Sequence, residues 1–381
     1  MDLDAEDLAA MVVAVRRFAA SELEPFAQER DESKRFPVEA LARAGELGLG
    51  GLYVGEQHGG AGLSRRDAAR LVAELARGDV TVAAYVSIHN MVAWMVDTFA
   101  SDEVRAAWLP GLASMRCLAS YCLTEPDAGS DAAALRTVAR RDGDAYVLSG
   151  VKQFISGAGT SHAYLVMART GSEGARGISA FLVPGDSGGL SFGPNERKMG
   201  WNAQPTRQVV LDDVRVPASH LLGEEGDGFA IAMRGLDGGR INIAACSLGG
   251  ASWAVERAAA HLHSRIAFGK PLSAQQALQF RLADMETALE ASRCLLDRAA
   301  SALDAGAADA TKLCAMAKQF VTDQCFDAAN AALQLHGGYG YLSEYGVERV
   351  VRDLRVHQIL EGTNEIMRLI VSRAVLQRAA A

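Results

Sequence analysis

The chain has 381 residues, 49% hydrophobic and 22% charged, which suits a soluble globular protein of two or three domains. Its net charge of -8 does not favour a nucleic-acid-binding surface. The longest charge-free apolar run, Val80 to Val96, is broken by Thr81, Ser87, His89 and Asn90; it is too short and polar for a membrane span and reads as a buried helix.

To about Gly111 the pattern is helical. Leu8, Val12, Val15 and Ala19 keep helical spacing, Pro37 can open the next helix, and the glycines from Gly48 to Gly51 close it. Residues 65–77, 80–99 and 102–108 predict three more helices, and Gly55 to Gly62 is a loop by composition. From Met115 the chain turns to short β-rich segments, 117–123, 135–141, 146–155, 163–168, 178–183 and 208–214. Asp142-Gly143-Asp144 is a hairpin signal, and the absence of helices between these strands predicts an antiparallel barrel or sandwich. After Gly226 long Ala-rich helical segments return, at 229–264, 273–305, 307–335, 346–352 and 364–378, which suggests a long-helix bundle. The expected division is an N-terminal helical domain (1–114), a middle β-domain (115–225) and a C-terminal helical domain (226–381), an α+β protein.

Six cysteines in a chain of this length, none in a Cys-x-x-Cys pair, read as reduced thiols in an intracellular protein. The acidic opening Met1 to Asp7 resembles neither a signal peptide nor an Arg-rich transit peptide, so the cytoplasm is the expected compartment. Walker A, Gly-x-Gly-x-x-Gly and Gly-x-Ser-x-Gly patterns are missing. The histidines lack metal-site spacing, so no metal is expected.

Six stretches carry possible chemistry. In Arg352 to Arg368, Ile359 and Leu360 lead Glu361 toward an apolar surrounding, Gly362 permits a turn, and Thr363 or Asn364 can cap the following helix. A desolvated carboxylate there suits a general base; the alternative is a turn salt bridge. Tyr121 to Asp131 ends a strand in a Gly/Pro loop where Thr124 and Ser130 can bond a polar ring or phosphate, or simply shape a turn. Phe154, Ser156 and Gly157 can cover and bond a planar cofactor, or be a core ring and a turn. Arg265 to Pro271 can meet a pyrophosphate and stack on adenine, or cap a helix dipole. Gln334 to Tyr341 breaks a helix with glycines, either for a phosphate or ribityl contact or as a plain helix end. Gly235 to Arg240 places costly glycines in a helix, for close approach of a ligand or of another helix.

In order and spacing these stretches resemble the acyl-CoA dehydrogenase family over nearly the whole chain. The resemblance implies an N-terminal helical domain, a middle antiparallel β-barrel domain and a C-terminal four-helix bundle, assembled as a homotetramer (a dimer of dimers) with one FAD per subunit. Tyr121, Cys122, Leu123, Thr124, Gly129 and Ser130, with Phe154, Ile155 and Ser156, would surround the flavin. Arg265, Phe268, Gln275, Gln276, Gln334, Gly337 and Gly338 would serve the FAD of a neighbouring subunit. Thr363, Asn364 and Glu365 would close over its dinucleotide part. Ser130, Asp237, Gly238, Gly239, Arg240 and Arg373 would line the acyl-CoA site, with Glu361 as catalytic base. The implied reaction is α,β-dehydrogenation of a short branched acyl-CoA, foremost isobutyryl-CoA to methacrylyl-CoA in valine breakdown, with electrons passed to an electron-transfer flavoprotein. Rival readings are 2-methylbutyryl-CoA or butyryl-CoA as substrate, an oxidase, and a non-catalytic flavoprotein scaffold. Some relatives carry the base on the helix, at the position of Gly239, which cannot take a proton. Leu360 stands where straight-chain relatives often carry a bulkier aromatic, leaving room for an α-branch.

Overall fold

The computed structural model describes residues 5–172 and 174–380, so the first four residues of the acidic opening lie outside the described residues. Helices α1 (Ala5–Phe18), α2 (Ala27–Ser33), α3 (Val38–Glu46), α4 (Arg65–Gly78), α5 (Val80–Phe99) and α6 (Asp102–Ala113) come first. Side chains cap the starts of α4, α5 and α6. Ser64 Oγ accepts the Asp67 N–H at 3.1 Å to cap α4, and Asp79 accepts the Thr81 N–H at 2.9 Å to cap α5. Pro37 precedes its helix rather than opening it from within. α6 runs five residues past the expected end and carries Pro110 inside it.

The strands are β1 (Ala119–Cys122), β2 (Val138–Asp142), β3 (Ala145–Ser156), β4 (Ala163–Arg169), β5 (Ile178–Pro184), β6 (Leu190–Phe192), β7 (Thr206–Pro217) and β8 (Leu221–Leu222). Among the described residues they form one sheet in the order β6-β7-β3-β2-β4-β5-β8, with β1 beside β4. Most pairings are antiparallel, and the hairpin at Gly143 joins β2 to β3 as its sequence indicates. Two pairings are parallel: β1 along the first part of β4, and Val138 of β2 at its end. The segment between β1 and β2 does not turn back, so both strands run along the same edge of β4 in the same direction. Side chains alternate with the period of two that a strand imposes. Tyr164, Val166 and Ala168 face a core inside the β-domain, and Ala163, Leu165 and Met167 pack against the α5, α6 and α7 side.

The C-terminal helices are α7 (Gly228–Ser264), α8 (Gln276–Asp304), α9 (Ala310–Leu335), α10 (Val347–Arg355) and α11 (Asn364–Ala380), with a short hairpin of β9 (Ile266–Ala267) and β10 (Lys270–Pro271) after α7. α7 is the spine: it packs on α4, α5, α8 and α9. One apolar core runs from Leu41 and Leu75 of the first helices through Ile241 and Cys246 to Val321 and Leu354. The two helical regions, distant in sequence, therefore share one interior. Glycines in α7 serve close packing: a Cβ on Gly235 would lie 1.7 Å from Met95 Cε, and one on Gly238 would lie 2.6 Å from an Arg65 guanidinium nitrogen.

Candidate active site

Glu361 and Gly362 both take left-handed backbone, φ +56° and +87°, and form the sharp turn between α10 and α11. That geometry is cheap for Gly362 and strained for Glu361, so neighbouring groups must hold it. Arg240 Nε donates to the Glu361 carbonyl at 3.4 Å, and Lys318 Nζ donates to the Gly362 carbonyl at 2.8 Å. The turn aims the Glu361 carboxylate at the bare face of α7, where a Cβ on Gly239 would lie 2.5 Å from Oε2. That oxygen is buried and has no hydrogen-bond partner among the described residues. Burial pushes the carboxyl up to about 7, against the pull of Arg240 and Lys318. The Tyr121 hydroxyl is likewise buried and unpartnered, and burial together with the Glu361 charge raises it well above the usual phenol range.

The two expected flavin segments lie side by side. The Gln153 N–H donates to the Thr124 carbonyl at 2.8 Å, and Ser120 Oγ donates to the Ser156 carbonyl at 2.5 Å. A register shift between Lys152 and Ile155 throws Phe154 outward at φ +59°, with 63% of its surface exposed. Thr124 and Ser156 are half-buried, and Gly129 and Ser130 are exposed on the loop beyond β1. An outward ring, two hydroxyls and an open glycine loop beside the orphaned Tyr121 hydroxyl fit a flat, hydrogen-bonding cofactor.

Several of the expected residues have side chains that face a core or are engaged within the chain. Cys122 and Ile155 point into the β-domain core because strand alternation turns them there, and burial pushes the Cys122 thiol up to about 12. Leu123 packs against the helices, so these three residues can offer only backbone to a cofactor. The Asn364 side chain is buried and fully engaged with Lys318 (2.8 Å), Asp323 (2.7 Å) and Thr322 (3.0 Å). Thr363 caps α11, its Oγ1 accepting the Ile366 N–H at 3.3 Å, while Glu365 is exposed. Each Asp237 oxygen accepts one bond, from Arg240 at 2.7 Å and from Thr311 at 2.6 Å, so its carboxylate braces the arginine that holds the base loop. Arg373 is exposed on α11.

Arg265, Gln334, Gly337 and Gly338 line a separate cleft of about 880 Å³ with Arg281 and Asp327. Gln275 and Gln276 open α8 nearby, and Phe268 stands 93% exposed on the β9–β10 hairpin. Arg265 lies twenty-six residues beyond Gly239, roughly 39 Å along a helix rising about 1.5 Å per residue. The expected cofactor residues therefore form two groups at opposite ends of α7.

Sequence reasoning missed two buried lysines. Lys318 sits on α9 in line with buried Cys314, Val321 and Thr322, and a lysine at a core position is itself a signal. Lys152 pairs with Glu125 at 2.7 Å, and Glu125 also accepts the Arg136 and Thr137 N–H groups at 2.6 and 2.9 Å, fixing the loop beyond β1. Among the described residues no helix is long and apolar enough to cross a membrane.

A three-part helical, β and helical fold with a desolvated carboxylate at the spine helix is an α+β architecture with one candidate general base. Comparison with known proteins makes this specific. Residues 5–116, 120–214 and 226–376 match the N-terminal, middle and C-terminal domains of acyl-CoA dehydrogenase. The chain belongs to the acyl-CoA dehydrogenase family, whose members are flavoproteins. It is 52% identical over 360 residues to the mitochondrial isobutyryl-CoA dehydrogenase of Bos taurus, covering 94% of this chain and 86% of that one. Among solved structures, butyryl-CoA dehydrogenase from Megasphaera elsdenii superposes with a TM-score of 0.95 at 36% identity over 99% of this chain and all of the other. A glutaryl-CoA dehydrogenase from Mycobacterium smegmatis, solved in complex with FADH2, has a TM-score of 0.92 at 31% identity over 98% of this chain and 95% of that one.

Proposed function

We propose that this chain dehydrogenates a short branched acyl-CoA, isobutyryl-CoA to methacrylyl-CoA, as a step in valine breakdown. The unpartnered Glu361 carboxylate against Gly239 carries this reading. Glu361 takes the proton from the carbon beside the thioester carbonyl. Its raised pKa makes it a better acceptor than an ordinary carboxylate, and the dry surrounding keeps water from competing. Charge then develops on the thioester oxygen, where the Glu361 backbone N–H would donate; one such donor is worth about 3 kcal/mol. Leu360, packed at the edge of the helical core, leaves space for the α-methyl branch.

The cofactor proposed is FAD, held by the Tyr121–Ser130 loop, Phe154 and Ser156. Bound FAD supplies the acceptor for the hydride leaving the β-carbon and a route for both electrons to an electron-transfer flavoprotein. The second group of residues, Arg265, Phe268, Gln275, Gln276 and Gln334 to Gly338, is assigned to the FAD of a neighbouring copy, as the family resemblance implies and as its separate cleft at the far end of α7 supports. That division needs at least two copies; the homotetramer, arranged as a dimer of dimers, is proposed from the family resemblance.

The test is anaerobic titration of the purified flavoprotein with isobutyryl-, 2-methylbutyryl-, isovaleryl- and butyryl-CoA, following flavin absorbance. Rapid bleaching by isobutyryl-CoA, lost in Glu361→Gln, is expected. Faster bleaching by another acyl-CoA would move the substrate, and a yellow protein that none of them bleaches would overturn the activity. Peroxide production under air would make the chain an oxidase.

A further inference from the structure

We propose that Lys318 is a positioning residue for the base: it clamps the Gly362 carbonyl and the Asn364 side chain so that Glu361 keeps its left-handed backbone against Gly239, and it sets a cation beside the carboxylate. The inference rests on Glu361 being the base and adds the group that holds and tunes it.

Lys318 is fully buried in the middle of α9. An ammonium there costs more than an apolar side chain of similar size unless its donors are matched. Two of them are: Nζ lies 2.8 Å from the Gly362 carbonyl and 2.8 Å from Asn364 Oδ1. Asn364 is itself fixed by Asp323 and Thr322, so the clamp is anchored to α9 at both ends. Without it, the Gly362 carbonyl would lose its bond, and the Glu361 carbonyl would keep only the 3.4 Å bond from Arg240, while Asp323 and Thr322 would still hold Asn364.

The charges around the pair come from every packed element. Lys318 faces Glu361 on the loop, Arg240 on α7, Asp323 on its own helix and Glu365 on α11. Glu361 faces Arg240 and Lys318, and is felt by Tyr121 on β1 and Cys246 on α7. Burial draws the lysine down to about 7 while it lifts the carboxyl to about 7. Each charge favours the other, so removing the lysine raises the pH at which Glu361 gives up its proton.

The test needs no substrate. Infrared titration of the resting flavoprotein follows the carboxylic-acid carbonyl band that Glu361→Gln removes. Lys318→Met should shift the midpoint of that band upward by about one pH unit, a tenfold change in the protonation equilibrium. The acid limb of flavin reduction by acyl-CoA should move with it, and the rate at high pH should fall about tenfold as the turn loosens. Lys318→Gln keeps a donor for Gly362 without the charge, so it should recover the high-pH rate yet keep the shifted midpoint. If Lys318→Met does not fold, the midpoint of Lys318→Gln decides alone. A midpoint that stays at the native value overturns the electrostatic role, and a Lys318→Met rate equal to native at high pH overturns the clamp. Full activity in Glu361→Gln would instead sink the assignment of the base.

Discussion

Glu361 keeps its proton up to about pH 7 because burial outweighs the two cations beside it. A base works only when deprotonated, so the rate of flavin bleaching should climb with pH through about 7 and level off above it. Stopped-flow traces from pH 5.5 to 9 would show this, and a rate flat across that range, as an ordinary carboxylate of pKa about 4.3 would give, would mean the site is wet. Glu361→Gln should cost about 10²–10⁴ in that rate while the protein stays folded and yellow. One residue earlier, exchanging Leu360 for Tyr should reduce turnover of branched acyl-CoA more than of butyryl-CoA; equal losses would remove Leu360 from the specificity argument.

At the scale of the element, α7 gives up helix propensity to make room for the base. Gly239→Ala should stabilise the helix by up to about 1 kcal/mol. The added methyl occupies the place of Glu361 Oε2, so bleaching should slow even as the melting temperature rises. A mutant that gained stability with no loss of rate would show that the carboxylate works elsewhere. In the β-domain, Glu125→Ala strands the Lys152 ammonium and frees two backbone N–H groups, with an expected loss of about 3–5 kcal/mol in denaturant unfolding. The long helices were legible because apolar residues recur at their period, and the hairpin at Gly143 because its turn chemistry is local. The parallel edge of β4 was not, since partner choice depends on where a long loop carries the chain. The turn at Glu361 was legible from Gly362 and its apolar lead, but the stretch alone read equally as a turn salt bridge, and only the order of all the motifs singled out a base. Lys318 was not, because what makes it matter is a carbonyl forty-four residues away. Asn364 and Asp237 read as ligand groups, and only the fold shows which partners within the chain their side chains hold.

For the whole molecule, the proposed reading assigns the cleft around Arg265, at the far end of the spine helix, to the flavin of another copy. Flavin retention should therefore depend on assembly. Arg265→Glu alters a site far from Glu361, yet it should lower flavin content severalfold and leave the infrared band of Glu361 unchanged. Sedimentation at falling protein concentration should show flavin release together with dissociation; flavin held firmly by isolated monomers would refute the shared site.

Gly239 and Glu361 contend for a single volume, since a side chain on the helix begins where the loop carboxylate ends. A carboxylate placed on the helix while the loop keeps its own would meet it in that volume, so one of the two must turn aside for the other to work.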